Sequence, residues 1–353
     1  MPSSKIKNIL FFLLKISLSL AILGFLVYQA LKAKDAGGKP IFLQLLHEEK
    51  RWDFLFLGAC FSFFAVLTTI VRWWWLVRTQ GLPAKFSDTL RIGFIGYLFN
   101  LAPMGIVGGD LLKAWLLTKH QKEHPGAGSA VLAAVFMDRV IGLYALFLTA
   151  GAVLLACGIL TSPETSPVIR GIGVAVCAAA GIGTLLFLII LGPDLSGGKF
   201  TEKLSTLPRV GPALERIVLS IRRYQNHLGV FSAATLMSVM VHVLFAVSIF
   251  FLTAGVFREN LPFTQMLWVS PTSMSASAIP LPAGPFEAVL DTLFQAFPGM
   301  HAGQGLAVAL VYRLVSLLIA SLGVVFYFSA RGEIREVVRE NEKETSPAGT
   351  AGT

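Results

Sequence analysis

Apolar windows of about 20 residues recur along this 353-residue chain and limit its fold more than any other feature. As a helix, such a window is long enough to cross a hydrocarbon layer of roughly 30 Å. Only 14% of the residues are charged, where a soluble domain has about a quarter. The sequence therefore predicts an all-α polytopic membrane protein. Six full spans are predicted, at 9–31, 54–78, 128–160, 167–192, 228–256 and 303–330.

Two further segments, 87–120 and 263–299, are apolar but interrupted by proline and glycine. If each segment enters and leaves the membrane on the same side, the other loops keep the sides that their basic residues indicate. The first segment then enters from the cytoplasm and the second from outside. This is the pattern of an inverted repeat whose discontinuous helices meet near the midplane. In the alternative, one or both segments are ordinary spans, which gives about eight crossings.

Basic residues predict the orientation, because they collect in cytoplasmic loops. Lys5 and Lys7 precede the first span, and the loop 193–227 is basic with an amphipathic stretch. Both termini are thus expected in the cytoplasm, around one transmembrane domain of residues 1–330 in the cell membrane. The tail 331–353 is basic at first and disordered by composition at its end. The loop 32–53 disagrees, since it holds five basic residues and should face outward.

Other classes of protein are disfavoured by what the chain carries. Basic loops against anionic lipid heads account for the net charge of +9, so no nucleic-acid partner is expected. Cys60, Cys157 and Cys177 lie in apolar windows without paired spacing, which indicates neither disulfides nor a metal site. The sequence contains no Walker loop, no GxSxG elbow and no DxD sugar-nucleotide site. A cofactor, an ATPase, a self-contained hydrolase and a nucleotide-sugar transferase are therefore not expected.

The first broken segment contains "NLAPMGIVGGDLLKAWLLTKH", from Asn100 to His120. Pro103 cannot donate a backbone hydrogen bond, and Gly108 and Gly109 permit turns that other residues resist. Asp110 precedes a credible helix and is predicted to be its N-cap. A carboxylate at bilayer depth costs about 2.5–3.5 kcal/mol and is usually paired or lines a cavity. Two interpretations of Asp110 therefore stay open: an N-cap and an acid that lines a cavity.

The second broken segment, "PTSMSASAIPLPAGPFEAVLDTLFQAF", repeats this arrangement. Gly284 is predicted as an N-cap, with Pro285 first and Glu287 third in the helix. An acid in the first turn is favourable to the helix dipole. Because both segments combine a break, a helix start and an acid, a polar cavity is favoured over two independent caps.

Cationic residues in the spans supply counterparts for these acids. "FMDRVIGLY" contains Asp138 and Arg139, and "VYRLVSL" contains Arg313. Adjacent helical residues point about 100° apart, so Asp138 and Arg139 should reach toward other helices. The simplest network pairs Arg139 and Arg313 with Asp110 and Glu287. A purely structural ion pair is the alternative for Asp138.

Two other polar features are predicted to be structural. "VRWWWLVR" places three tryptophans between Arg72 and Arg78, a composition typical of the headgroup interface. His242 lies alone within the fifth span and is interpreted as a packing residue. Neither feature is assigned to the substrate pathway.

Three ordered blocks resemble the lysylphosphatidylglycerol synthase transmembrane region, also called the flippase-like membrane family. The blocks are "GYLFNLAPMGIVGGDLLKAWLL", "AAVFMDRVIGLYAL", and "PLPAGPFEAVL" followed by "ALVYRLVSLLIASLGVV". Phe286 departs from the pattern, since the family usually has a basic residue there. The matching positions are predicted to line a substrate pathway: Asn100, Pro103, Gly108, Gly109, Asp110, Lys113, Asp138, Arg139, Gly284, Glu287 and Arg313.

The resemblance implies lipid handling, with translocation of a phospholipid or polyprenyl-linked lipid between leaflets as the expected function. Relatives fuse this region to a soluble aminoacyl-transferase domain, and nothing soluble of that size follows Tyr327. Membrane lipids are the expected partners, together with a separate transferase in one alternative. Two other functions stay open: a membrane transferase with Asp110 or Glu287 as general base, and an accessory subunit whose acids are merely caps.

Overall fold

The computed structural model describes residues 4–32, 42–43, 47, 49–101, 108–121, 124, 126–163, 165–191, 224, 227–257, 260–279, 281 and 283–344. Every regular element within these residues is helical. Six helices are long and apolar enough to cross a membrane, and they coincide with the six predicted spans. The prediction of an all-α polytopic membrane protein is confirmed.

The described residues form ten α-helices. They are α1 (Ser4–Lys32), α2 (Trp52–Thr79), α3 (Phe86–Leu101), α4 (Gly109–His120), α5 (Ala127–Ala156), α6 (Pro167–Leu191), α7 (Leu228–Val256), α8 (Phe263–Ser275), α9 (Pro285–Gln295) and α10 (Gln304–Glu344). A 3-10 turn, Ala276–Ala278, follows α8.

The first broken segment folds into a hairpin of α3 and α4. Asn100 near the end of α3 donates to Asp110 near the start of α4, with 3.4 Å between Nδ2 and Oδ1. One turn earlier in α3, Gly96 lies against Lys113, one turn later in α4. The two helices therefore run antiparallel. With 12 residues, α4 is about 18 Å long, too short to cross a layer of roughly 30 Å.

The second broken segment folds in the same way, from α8 and α9. The ring of Trp268 in α8 lies 6.0 Å from that of Phe297, just beyond the end of α9. This contact between the outer ends of the segment requires the chain to reverse between them. With 11 residues, α9 is about 16 Å long. Both segments thus fold back on themselves as short antiparallel hairpins, and their re-entrance into the membrane stays a prediction.

Helices α2 and α7 form an antiparallel pair at the centre of the molecule. Ser62 bonds Ser248 with 2.7 Å between their hydroxyl oxygens, and Arg72 Nη1 donates to Ser238 Oγ at 2.6 Å. Partner numbers fall on α7 as they rise on α2, so the helices run in opposite directions. Small residues such as Gly58 and Ser62 let the two backbones approach closely.

The ten helices divide into two similar halves, α1–α5 and α6–α10. Each half consists of two spans, a broken hairpin and a third span. The packing is reciprocal: α3 packs on α10 and α8 on α5, while α1 packs on α10 and α6 on α5. An odd number of spans in each half inverts the second half relative to the first, in agreement with the antiparallel α2 and α7. The predicted inverted repeat matches this arrangement.

Buried apolar side chains form two clusters. One contains Trp268 of α8, and the other contains Trp73 of α2. Both rings are almost fully buried and hold the hairpins against the neighbouring spans.

Several predictions fall on residues outside the described part of the chain. These are the role of Pro103, most of the cytoplasmic loop 193–227 and the end of the tail at 345–353. Helix α10 continues to Glu344, so the first part of the predicted tail 331–353 is helical.

Candidate functional site

A cluster of charges lies where α4 begins, against the middle of α5. Arg139 Nε is 2.5 Å from one oxygen of Asp110, and Lys113 Nζ is 3.1 Å from the other. Asn100 donates to the same carboxylate from α3. The predicted pairing of Asp110 with Arg139 is present, and Lys113 and Asn100 join it.

The prediction that Asp110 caps α4 is wrong. The helix begins at Gly109, its N-cap is Gly108, and no side chain caps it. Asp110 is the second helical residue, and its carboxylate instead binds the two cations. Two cations attract the carboxylate more strongly than uncharged backbone N–H groups do, which favours this arrangement over a backbone cap. Among the described residues, no side chain accepts from the first-turn N–H groups.

Arg139 faces outward near the middle of a helix of spanning length. It is the thirteenth residue of the 30-residue α5, and its side chain is 58% exposed. Among the described residues, only Asp110 binds its guanidinium, through Nε. Phe136 and Leu143, one turn away on either side, are exposed apolar residues. The charged guanidinium of Arg139 therefore lies between exposed apolar side chains on the helix surface.

The second cluster lies at the start of α9 and is closed. Arg313 donates to one oxygen of Glu287 through Nε at 2.7 Å and Nη2 at 2.5 Å. The other oxygen accepts the backbone N–H of Gly284 at 2.7 Å, and the Glu287 side chain is fully buried. The predicted N-cap Gly284, the first-turn residues Pro285 and Glu287, and the pair with Arg313 are all confirmed.

Asp138 belongs to a third, separate group between α2, α5 and α7. Arg72 donates to its carboxylate through Nε at 2.8 Å, and both side chains are only 5% exposed. The interfacial position predicted for Arg72 is wrong, because this guanidinium reaches inward to Asp138 and Ser238. His242, a few residues along α7, contacts the Gly142 carbonyl at 3.0 Å as part of the same packing. The structural ion pair is thus the interpretation that these contacts favour for Asp138.

Asp291 is a buried acid that the sequence analysis did not single out. Its carboxylate accepts the backbone N–H groups of Gly303 at 2.9 Å and Leu306 at 3.1 Å, and the Gln295 amide at 2.7 Å. It thereby fixes the start of α10 to α9. In the sequence, Asp291 is an acid in an amphipathic helix, where acids are ordinarily exposed. The local sequence therefore does not indicate its burial.

Within the described residues, no three His, Cys, Asp or Glu side chains are grouped as a metal site would need. The fold and its clusters define an integral membrane protein with paired charges at two helix breaks. The family model described as the lysylphosphatidylglycerol synthase TM region matches residues 12–323, and the chain belongs to this family. Membership relates it to lipid modification. Comparisons with curated proteins and with solved structures gave no match.

Two adjacent glycines allow a matched test of the hairpin that carries the first cluster. A methyl group on Gly109 would overlap the Gly96 carbonyl oxygen, whereas one on Gly108 has nothing within 4 Å. We expect Gly109→Ala to lower the free energy of unfolding by about 1–3 kcal/mol through overpacking. Gly108→Ala should lower it by at most about 1 kcal/mol, because alanine is a poorer N-cap residue than glycine. Denaturant titration in detergent measures both, and equal effects would contradict the close approach of α3 and α4.

Proposed function

We propose that this protein moves the phosphate-bearing headgroup of a membrane lipid between the two leaflets. The headgroup binds at the cluster of Asp110, Lys113 and Arg139. The observation that carries the proposal is the Arg139 guanidinium, which is 58% exposed at mid-span and has Asp110 as its ion-pair partner among the described residues.

The charges of this cluster favour an anion. Two cations, Lys113 and Arg139, surround the single carboxylate of Asp110, so one positive charge is left in excess. A planar guanidinium matches two phosphate oxygens at once, and such bidentate bonds are strong and directional. A lipid phosphate bound to the two Nη groups would neutralise the cluster, with Asp110 holding the guanidinium in place.

The start of α4 supplies a second anion-binding element. Within the described part of the chain, no side chain caps its first turn, and nothing lies within 4 Å of an ideal Cβ on Gly108. A helix N-terminus carries about half a positive charge and binds phosphate through backbone N–H groups. The open terminus and the Arg139 fork belong to the same cluster, since Asp110 links α4 to α5.

The apolar surroundings favour a lipid over a soluble anion. Phe136 and Leu143 flank Arg139, and Leu111 follows Asp110, and all three are exposed. Acyl chains can stay in contact with such side chains while only the headgroup leaves its leaflet. The second cluster, Glu287 with Arg313, has the equivalent position in the other half and gives the headgroup a second station.

Leaflet exchange of fluorescent phospholipids in proteoliposomes tests the proposal. Asp110→Asn removes the carboxylate that orients Arg139, and Glu287→Gln weakens the hold on Arg313. We expect each to lower the exchange rate at least tenfold at equal protein incorporation. Asp53→Asn is the matched control, because Asp53 is exposed at the start of α2 and outside both clusters.

Two outcomes would contradict the proposal. Wild-type exchange no faster than in empty liposomes, with neutral, anionic and cationic lipids, would exclude phospholipid translocation. Unchanged exchange per folded molecule in Asp110→Asn, with lower stability, would mean that the acid is structural. Modification of lipid by the purified chain alone would instead favour the transferase alternative.

A further inference from the structure

The two equivalent clusters differ in their access to the surroundings. At the first, Asp110 is 24% and Arg139 58% exposed, whereas at the second Glu287 is fully buried and Arg313 is 28% exposed. The N-cap glycines differ in the same sense. Among the residues that the structure describes, an ideal Cβ on Gly108 has nothing within 4 Å, while Ile22 fills the space at its counterpart Gly284.

Helix α1 causes this difference. The side chain of Ile22 lies 3.0 Å from the position of an ideal Cβ on Gly284, directly over the start of α9. Further along, Ala30 packs against Gly303, before the start of α10. Thus α1 covers Gly284, the N-cap residue of the helix that carries Glu287.

Helix α6 holds the corresponding position in the other half but leaves its cluster uncovered. It packs along the second half of α5, where Tyr144 bonds Thr184 at 3.0 Å and Gly151 meets Ala180. These contacts lie beyond Arg139, away from the start of α4. Two helices with equivalent places in an inverted repeat therefore adopt different positions, one covering and one displaced.

Helix α1 packs only loosely against the rest of the described molecule. Its closest packing is on α9 and α10, and among its described side chains only three are buried: Ser19, Leu26 and Ala30. Large apolar residues such as Leu20, Phe25 and Tyr28 are exposed, as on a helix surrounded by lipid. Without a hydrophobic drive between helices in lipid, so small a contact is readily exchanged.

From these observations we infer that α1 and α6 are paired lateral gates over two equivalent headgroup stations. In this structure the station at Arg139 is the more exposed of the two, and α1 covers the helix start at Gly284 in the second. Translocation requires α1 to leave Gly284, so that the second station becomes accessible from the lipid. The inference rests on the proposed function, because it describes how the same two clusters take up and release a headgroup.

A reversible tether between α1 and α9 tests the gate. Cys60, Cys157 and Cys177 are first replaced by alanine, and cysteines are placed at Ile22 and Ala288 by Ile22→Cys and Ala288→Cys. Ala288 lies one turn beyond Gly284 and bonds it through the backbone. A short reducible bis-thiol reagent should link the pair and lower phospholipid exchange at least tenfold, with recovery on reduction.

The control tether joins two helices that the gate does not involve. Ser62→Cys with Ser248→Cys links α2 to α7, where the native hydroxyl oxygens are 2.7 Å apart. This link should leave exchange unchanged. Unchanged exchange with α1 tethered would overturn the gate while the proposed function stands. No exchange in the unlinked protein would contradict the proposed function and the gate with it.

Distance measurement by double electron–electron resonance gives a readout independent of transport. Spin labels at exposed Tyr28 of α1 and Thr292 of α9 should show two distance populations in liposomes. Labels at Phe56 of α2 and Leu236 of α7, both exposed, should show one. A single distance for the α1–α9 pair would overturn the inference.

Discussion

Replacing Arg72 by methionine should lower the free energy of unfolding by about 3–5 kcal/mol, because it leaves the buried carboxylate of Asp138 without its cation. Arg72 binds the Asp138 side chain at 2.8 Å and its backbone carbonyl at 3.2 Å, and it also holds Ser238. One side chain thus joins α2, α5 and α7.

The double variant Arg72→Met/Asp138→Leu separates the pair from the packing. Two well-packed apolar residues in place of a buried ion pair are often neutral for stability, so most of the loss should be recovered. Arg78→Met is the control on the same helix, because Arg78 is exposed and only lies over the Trp74 ring, at 5.2 Å. Its effect should stay below about 1 kcal/mol. A double variant as unstable as Arg72→Met would contradict the pairing as the cause.

Much of the fold could be predicted from local features of the sequence. Apolar windows define the six spans, because a spanning helix needs a fixed length of apolar residues. Glycine and proline at 103–109 and 280–285 define the two breaks, since these residues resist continuous helix. The pairs Arg139–Asp110 and Arg313–Glu287 could also be anticipated, because few ionisable residues lie in the spans and each needs a partner.

The two wrong predictions concern Arg72 and Asp110, whose local sequence is compatible with two different environments. Arg72 stands beside three tryptophans, as interfacial arginines do, and its partner Asp138 is 66 positions later. Asp110 follows two glycines, as N-cap residues do, but the cations on α4 and α5 hold its side chain. Local sequence cannot decide either case, since the outcome depends on contacts between distant helices.

The unequal coverage of the two clusters was also beyond the sequence. Helices α1 and α6 both contain an apolar window of spanning length, and hydropathy alone does not show on which helix each one packs. The contact of Ile22 with Gly284 and the unequal exposure of Arg139 and Arg313 distinguish the two halves. Equivalent helices adopt different positions because they pack differently. The periodicity of a single sequence does not predict such packing.

Arg139→Gln should slow the leaflet exchange of an anionic phospholipid about ten- to a hundredfold with little effect on folding. The variant removes the charge and the fork that the phosphate is proposed to bind, and a hydrogen bond to a charged group contributes about 1.5–3 kcal/mol. Stability should be nearly kept, because the side chain is 58% exposed and Lys113 still neutralises Asp110. Exchange at matched protein incorporation measures the first effect, and thermal unfolding in detergent measures the second.

Two comparisons make the Arg139 experiment specific. Arg139→Lys keeps the charge but loses the bidentate geometry, so its exchange rate should lie between those of the wild type and Arg139→Gln. Arg313→Gln should instead lower stability, because it leaves the fully buried Glu287 carboxylate without its cation. If Arg139→Gln folds normally and exchanges lipid at the wild-type rate, the headgroup does not bind at this guanidinium. The distinction depends on exposure: the 58% exposed Arg139 can be replaced without unfolding the protein, whereas Arg313 also neutralises a carboxylate that is fully buried.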